Sequence, residues 1–294
     1  MKADLDYELL DCGDFKKLER WGPYRFVRPA PQAVWNKNLS EKSWRDCAGE
    51  FQHQKGSKKS ASGDWKFHAS LPEEGWPIRY RDLTFIVKPT PFGHFGLFPE
   101  QMAQWKWLEE QLKGLVSRTD RELKIINIFG YTGASSIVSA AHGAHVTHLD
   151  ASKATVSWAR ANSEASGLKE KPMRWIVDDA LKFLRREKNR GNLYDGIIMD
   201  PPSFGRGPKG EVWKIEEALS ELMQACKEVL VEKPSLLLLS SHTPGFTGLT
   251  LQNIIARYLV QGIAGTFECG EMEIPSLAGL NLPNGFFARW VMNG

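Results

Sequence analysis

Residues 123–150 read LKIINIFGYTGASSIVSAAHGAHVTHLD, and the succession of residue types in this stretch decides the fold. Residues 123–129 are a short apolar run rich in isoleucine, the pattern of a buried strand. Gly130 and Gly133 then let the backbone turn sharply. Residues 134–141 predict a helix, and residues 146–149 a second strand ending at Asp150. A strand, a helix and a strand joined this closely form a crossover unit, which makes the two strands parallel.

Outward from that unit the alternation continues. Downstream the pattern predicts a helix over 153–166 closed by Gly167, a strand over 173–177, a helix over 181–188 and a strand over 196–199. A helix over 215–230, a strand over 236–240 and a helix over 249–259 follow, with last strands near 266–269 and 286–291. Upstream, Met102, Trp105, Leu108, Leu112 and Leu115 recur at helical spacing. Residues 91–294 are therefore expected to form an α/β domain with a doubly wound, mostly parallel sheet of seven strands. Residues 1–90 differ: they are rich in Trp, Pro and Gly, with strand-like stretches at 24–27, 65–68 and 83–87. They predict a small β-rich N-terminal domain, with substrate recognition as its expected role. Seven of the eleven tryptophans lie before residue 120, which packing in a β layer or base stacking would each explain. Residues 55–63, KGSKKSASG, read as a loop.

Composition narrows the class without naming a partner. At 294 residues, 42% hydrophobic and 25% charged, the chain has the make-up of a soluble globular protein. Four of the first eight residues are charged, unlike a signal peptide, and the longest apolar runs, such as 236–239, are too short to span a bilayer. A cytoplasmic location without membrane attachment is expected. Cys12, Cys47, Cys226 and Cys269 are scattered with no C-x-x-C pair, so free thiols and no metal site are expected. The net charge of +3 is spread evenly over both halves. The basic clusters at Lys16-Lys17-x-x-Arg20, Lys55-x-x-Lys58-Lys59 and Arg185-Arg186-x-Lys188-x-Arg190 suit solvated faces as well as phosphate contacts.

Ligands on such sheets bind outside the carboxyl ends of the strands, so the residues just past each strand are the candidate site. After the first comes Gly130-Tyr131-Thr132-Gly133-Ala134, whose N–H groups would be open to an anion. This is not the dinucleotide pattern G-x-G-x-x-G, and Tyr131 and Thr132 would crowd a pyrophosphate while suiting an amino-acid head group. The pattern argues against a nicotinamide-dependent oxidoreductase. After the second, Asp150 with Ala151 and Ser152 offers a carboxylate for ribose hydroxyls, or a helix cap. After the third, Asp178-Asp179-Ala180 offers an acceptor for an adenine amino group, or again a cap. After the fourth comes Asp195-Gly-Ile-Ile-Met-Asp200-Pro201-Pro202-Ser203-Phe204, the strongest signal in the chain. Its two prolines stiffen the backbone and remove two donors, which leaves carbonyl oxygens for a ligand and Phe204 to stack on a planar ring.

In this order the four features resemble class I S-adenosylmethionine-dependent methyltransferases, which carry a Rossmann-like sheet. The likeness is stronger to the ribosomal-RNA large-subunit family that makes 5-methylcytosine or 7-methylguanine. That family has similar Asn-x-Phe-x-Tyr-Thr-Gly and Asp-Pro-Pro-x-Phe segments, here beginning at Asn127 and Asp200. It also has a Gly-x-Phe-x-Asp-Gln motif that Gly96-Leu-Phe98-Pro-Glu100-Gln101 is similar to, with Glu100 in place of the Asp. The resemblance covers roughly residues 80–294, and the segment from Lys17 to Ala33 resembles the start of a shorter subgroup without a leading PUA domain. It implies S-adenosyl-L-methionine as cofactor, with contacts at Gly130 to Ala134, Asp150, Asp179 and Asp200, and Gln101 nearby.

One departure bears on the reaction. Methylation at cytosine C5 needs a thiolate, which the 5-methylcytosine members carry after the fifth strand. Here that place reads Leu239-Ser240-Ser241-His242-Thr243, without sulfur. Transfer to a base nitrogen of ribosomal or other RNA is the reading favoured, with Asp200, Pro201 and Phe204 as the substrate-positioning set. A small-molecule or protein methyltransferase, and a non-catalytic RNA-binding protein, are the alternatives. The sequence leaves the modified nucleotide and the oligomeric state open. Residues 205–210 (GRGPKG) read as a phosphate grip or a loop, and His242 as a residue able to touch substrate. His142, His145 and His148 straddle a turn and a strand and do not suggest a metal site, and Asn162 reads as a polar residue on a helix face.

Overall fold

The computed structural model describes residues 4–53, 63–118, 121–206 and 212–293. Two compact units emerge: Met1–Glu100 with Glu273–Pro283, and Gln101–Met272 with Asn284–Gly294.

The first unit is built from β1 (Tyr7–Gly13), β2 (Lys16–Trp21), β3 (Tyr24–Pro29), helix α1 (Glu41–Arg45), β4 (Gly49–His53), β5 (Gly63–Phe67), β6 (Trp76–Tyr80) and β7 (Leu83–Val87). Strands β1 to β5 form one sheet in chain order, and β6 and β7 a separate hairpin. The three strand-like stretches of the sequence lie on β3, β5 and β7. Strands β1 and β2 escaped notice because charged side chains face inward there and break the apolar alternation: Asp11, Lys17 and Glu19 are buried, as is Arg28 on β3. Glu19 accepts hydrogen bonds from Arg28 Nε (2.6 Å) and Nη2 (2.8 Å) and from the Tyr7 hydroxyl (2.7 Å), with Lys17 Nζ at 3.3 Å. The tryptophans serve packing: Trp21, Trp65, Trp76 and Phe26 surround Phe95 with centroids 4.6 to 5.7 Å from its ring. The loop expected over 55–63 falls outside the described residues apart from Gly63, which opens β5.

The second unit runs α2 (Met102–Val116), β8 (Lys124–Ile128), α3 (Ala134–Ala141), β9 (His145–Asp150), α4 (Lys153–Ala165), β10 (Met173–Val177) and α5 (Ala180–Asn189). Then come β11 (Gly196–Met199), the short ribbon β12 (Phe204–Arg206) and β13 (Val212–Lys214), and α6 (Ile215–Glu228). Last are β14 (Leu236–Ser241), α7 (Gly248–Tyr258), β15 (Gly265–Ile274) and β16 (Leu282–Met292). The sheet has the expected seven strands, ordered β10-β9-β8-β11-β14-β16-β15. The first five are parallel, and β16 runs antiparallel to β14. Alternate residues of the central strands, Ile126 and Ile128, Ile197 and Met199, Leu237 and Leu239, enter one core with α5, α6 and α7. Gly196 is required at its place: a Cβ there would lie 2.7 Å from both Ile125 Cδ1 and the Leu236 carbonyl. Strands β15 and β16 are longer than the sequence suggested, because their half-exposed, charge-bearing residues weaken the apolar signal. Among the described residues no helix is long and apolar enough to cross a membrane.

Candidate active site

The sheet order reverses between β8 and β11, which puts the ends of β8, β9, β10, β11 and β14 around one crevice of the second unit. Past β8 the backbone takes positive φ at Phe129 (58°), Tyr131 (50°) and Gly133 (89°). Two non-glycine residues in the left-handed region store strain, and the surroundings hold them there. The Gly130 N–H donates to the Leu149 carbonyl (3.0 Å), and the Tyr131 N–H to Asp150 Oδ2 (3.0 Å). Asn162 Nδ2 donates to the Thr132 carbonyl at 3.0 Å.

Gly130 is fixed by contact rather than by φ, since a Cβ would lie 2.5 Å from the His148 ring. That ring is buried beneath the loop, with Ser136 Oγ 2.9 Å from Nδ1 and Asn127 Nδ2 donating to the same hydroxyl at 2.9 Å. Burial pulls the His148 imidazole down to about 4, so it is neutral at physiological pH. Burial, and secondarily Asp150, pushes the Tyr131 phenol upward, so it too stays uncharged.

Asp150 Oδ1 accepts from the Ser152 N–H and the Thr155 hydroxyl, each at 2.9 Å, so the carboxylate shapes the loop as well as facing the crevice. Ser152 caps α4 by accepting from the Thr155 N–H, and Ala151 lies between Asp150 and Ser152 in the chain. Past β10, Asp179 caps α5 by accepting from the Lys182 N–H at 2.9 Å, and Ala180 is buried at the helix start. Asp178 is paired with Arg186.

Past β11, Gln101 Nε2 donates to Asp200 Oδ2 and to Ser240 Oγ, both at 3.0 Å, so three elements meet at one amide. Asp200 Oδ1 is buried and has no hydrogen-bond partner among the described residues; His242 Nδ1 stands 3.7 Å away. Pro201 is buried, whereas Phe204 is 55% exposed. Of the two carbonyls read as open to a ligand, that of Pro202 is already taken by the Trp213 indole N–H at 2.6 Å. Trp213 also packs on Phe129, centroids 5.1 Å apart, and Ser203 Oγ meets Thr243 Oγ1 at 2.7 Å. The phosphate grip read over 205–210 lies outside the described residues beyond Arg206.

A family model described as S-adenosylmethionine-dependent methyltransferase matches residues 38–249. The chain belongs to this family. Its methyl donor is S-adenosylmethionine. A solved S-adenosylmethionine-dependent methyltransferase from Agrobacterium tumefaciens is 37% identical, with a TM-score of 0.88 over 97% of this chain and 90% of that one. The ribosomal RNA large subunit methyltransferase I of Photobacterium profundum is 33% identical over 105 residues, 35% of this chain and 24% of that protein. The ribosomal RNA large subunit methyltransferase K/L of Hahella chejuensis is 32% identical over 148 residues, 50% of this chain and 19% of that protein. This methyltransferase thus matches only about a quarter or less of the length of those curated relatives.

The methyltransferase's crevice fits its donor in one observed respect: the buried Oδ1 of Asp200 accepts no hydrogen bond among the described residues. Sequence reasoning missed Ser240, Trp213 and Thr243, which carry no local signal. Asn162 lies on a face of α4 as read, but on the buried one: it is 1% exposed and braces the glycine loop. Its spacing from Val156 and Ala159 places it on the buried face of α4 and was the available clue. His142, His145 and His148 turn to separate partners, Val138, Glu122 and Ser136. The trio of metal-capable side chains found among the described residues, Cys47, Glu50 and His68, belongs to the first unit.

Replacing Gly130 by alanine is expected to weaken S-adenosylmethionine binding by about tenfold or more. The new methyl can be housed only by displacing a packed ring, an overpacking that costs about 1–3 kcal/mol. Calorimetric titration of the cofactor, with a melting curve beside it, checks this; unchanged affinity would mean the loop does not hold the donor.

Proposed function

We propose that this methyltransferase modifies a nitrogen of an RNA base, ribosomal RNA being the first substrate to test. The observation that carries the reading is the Asp200-Pro201-Pro202-Ser203-Phe204 segment at the crevice: an exposed aromatic face four residues from a half-buried carboxylate whose inner oxygen, Oδ1, accepts no hydrogen bond among the described residues. The names of the ribosomal RNA methyltransferase relatives support the same substrate class.

In this reading the N–H groups of Gly130 to Ala134 receive the donor's amino-acid carboxylate, and Asp150 with Ala151 and Ser152 its ribose. Asp179 and Ala180 border the adenine. When bound, the sulfonium supplies a methyl that is already activated. What the chain must add is alignment, since a ring nitrogen with an exposed lone pair loses no proton on methylation. Gln101 holds Asp200 in place, Asp200 and the Pro201 carbonyl orient the accepting base, and Phe204 stacks on it. A base must be unpaired or leave its stack to enter. A thiolate route to carbon has little support: Cys226 is buried within α6, its thiol pushed far upward by burial, and Ser240 and Ser241 end β14. Residues 1–90 would recognise the substrate, and a ribosomal RNA target would place the enzyme in the cytoplasm.

The test is transfer of labelled methyl to protein-free ribosomal RNA from cells lacking this gene. RNase-sensitive label supports the reading. A protein that binds the cofactor yet labels neither naked RNA nor ribosomal particles would sink it.

A further inference from the structure

Phe92 is among the most exposed large apolar side chains described, at 59%, yet its surroundings are ordered. Its ring lies nearly parallel to that of His94 (18°, centroids 6.1 Å apart), and His94 leans on Phe98 at 5.3 Å. The backbone beneath is held at both ends of the loop. The Thr90 N–H donates to the His94 carbonyl (2.9 Å), the Gly93 N–H to the Thr90 carbonyl (3.1 Å) and the Lys88 N–H to the Phe95 carbonyl (3.1 Å). The Trp65 indole donates to the Thr90 carbonyl (2.8 Å), and the Gly63 N–H to the Pro91 carbonyl (3.0 Å). Gly93 has φ +78° and no room for a Cβ, which would sit 2.5 Å from the Phe51 ring.

The strongest anchor is charged. Arg28, buried and paired with Glu19, uses Nη1 to donate to the Gly93 carbonyl at 2.7 Å. A buried ion pair is weak evidence for stability, because desolvation offsets much of its attraction. Here its spare donor fixes a loop that carries an outward-facing ring, although that ring adds nothing to the core. The loop's N–H and carbonyl groups are largely consumed internally, so a peptide adding as a strand would find few partners. What the loop offers is a rigid π face, which loses little freedom on binding.

We propose that the loop of residues 89–98 is a stacking platform for an unpaired nucleobase of the substrate RNA, with Phe92 as the contact ring. This rests on the RNA reading above. Base–aromatic stacking tolerates any base, so the platform contributes affinity and not sequence choice. Burial, reinforced by Arg28, draws the His94 imidazole down to about 4, so the stack keeps one charge state through neutral pH.

The experiment uses the full chain and protein-free ribosomal RNA as probe, with Phe92→Ala, Phe92→Leu and Phe92→Trp. Phe92→Ala should weaken RNA binding and raise KM for RNA by about tenfold, with kcat, cofactor affinity and melting temperature unchanged. Phe92→Trp should restore binding, and Phe92→Leu should behave like the alanine variant, since it keeps apolar area without a ring face. If the wild type methylates RNA and either the alanine or the leucine variant binds it as tightly, the platform is wrong and the RNA reading stands. If the wild type neither binds nor methylates RNA, both fall.

Discussion

Asp200→Ala is expected to lower the single-turnover rate of methyl transfer by roughly two to three orders of magnitude while leaving the fold intact. That is the range seen when a preorganised polar group facing the reacting atoms is removed. The carboxylate sits at the end of β11, where Gln101 fixes Oδ2 and leaves Oδ1 buried and without a hydrogen bond among the described residues. A buried polar atom without a partner is destabilising, so its removal should shift the melting temperature by only about a degree or two. Asp200→Asn keeps the shape and separates orientation from charge: full activity in Asn but not Ala would assign a positioning role. An alanine variant as fast as wild type at saturating cofactor would remove Asp200 from the transfer step altogether.

The largest expected loss of stability belongs to Arg28→Ala. Removing one partner of a buried ion pair typically costs about 3–5 kcal/mol, because the other charge is left uncompensated. Glu19 is fully buried, and among the described residues Lys17 at 3.3 Å and the Tyr7 hydroxyl would remain beside it. A drop of roughly 10 °C in melting temperature is expected for the first unit. The double replacement of Arg28 by Met and Glu19 by Leu should recover part of it, since the Glu19 carboxylate is then no longer stranded, and only part, because buried Lys17 loses its partner. If Arg28→Ala melts like wild type, the network does not hold the front sheet together.

The same network contributes to the acid limit. Burial alone would raise the Glu19 carboxyl, but Arg28 and Lys17 outweigh it and hold it at about 2. A carboxylate whose folded value lies below its unfolded value of about 4.5 binds fewer protons when folded, so stability falls as pH drops from about 4.5 toward 2. His94 and His148, drawn down to about 4 by burial, act in the same direction at higher pH, because the unfolded chain takes up their protons from about 6.5 downward. Wild-type melting temperature should therefore decline in two stages below neutrality, and the lower stage should shrink in the Arg28→Met, Glu19→Leu double variant without vanishing, because Glu187 is held at about 2, against its burial, by hydrogen bonds from Arg174, Tyr194 and Asn192.

The second unit's sheet was legible from residue order because its central strands are covered on both faces. Such strands read as unbroken apolar runs, and β11 and β14 are buried at every position. The candidate site was legible for a related reason. Strand ends at a switch point are where ligands sit, and glycine, aspartate and paired prolines have few structural excuses there. Only the tertiary structure decided what those residues touch. Gln101 lies 99 residues from Asp200 and 139 from Ser240, so no spacing rule could join them. The necessity of Gly130 comes from a histidine on the neighbouring strand, and the Pro202 carbonyl is claimed by a tryptophan on a ribbon. In the first unit the sequence hid strands β1 and β2, where inward-facing Asp11, Lys17 and Glu19 find their partners only in the fold. Periodicity registers transfer from water, residue by residue; it has no term for a charge whose partner arrives from another strand.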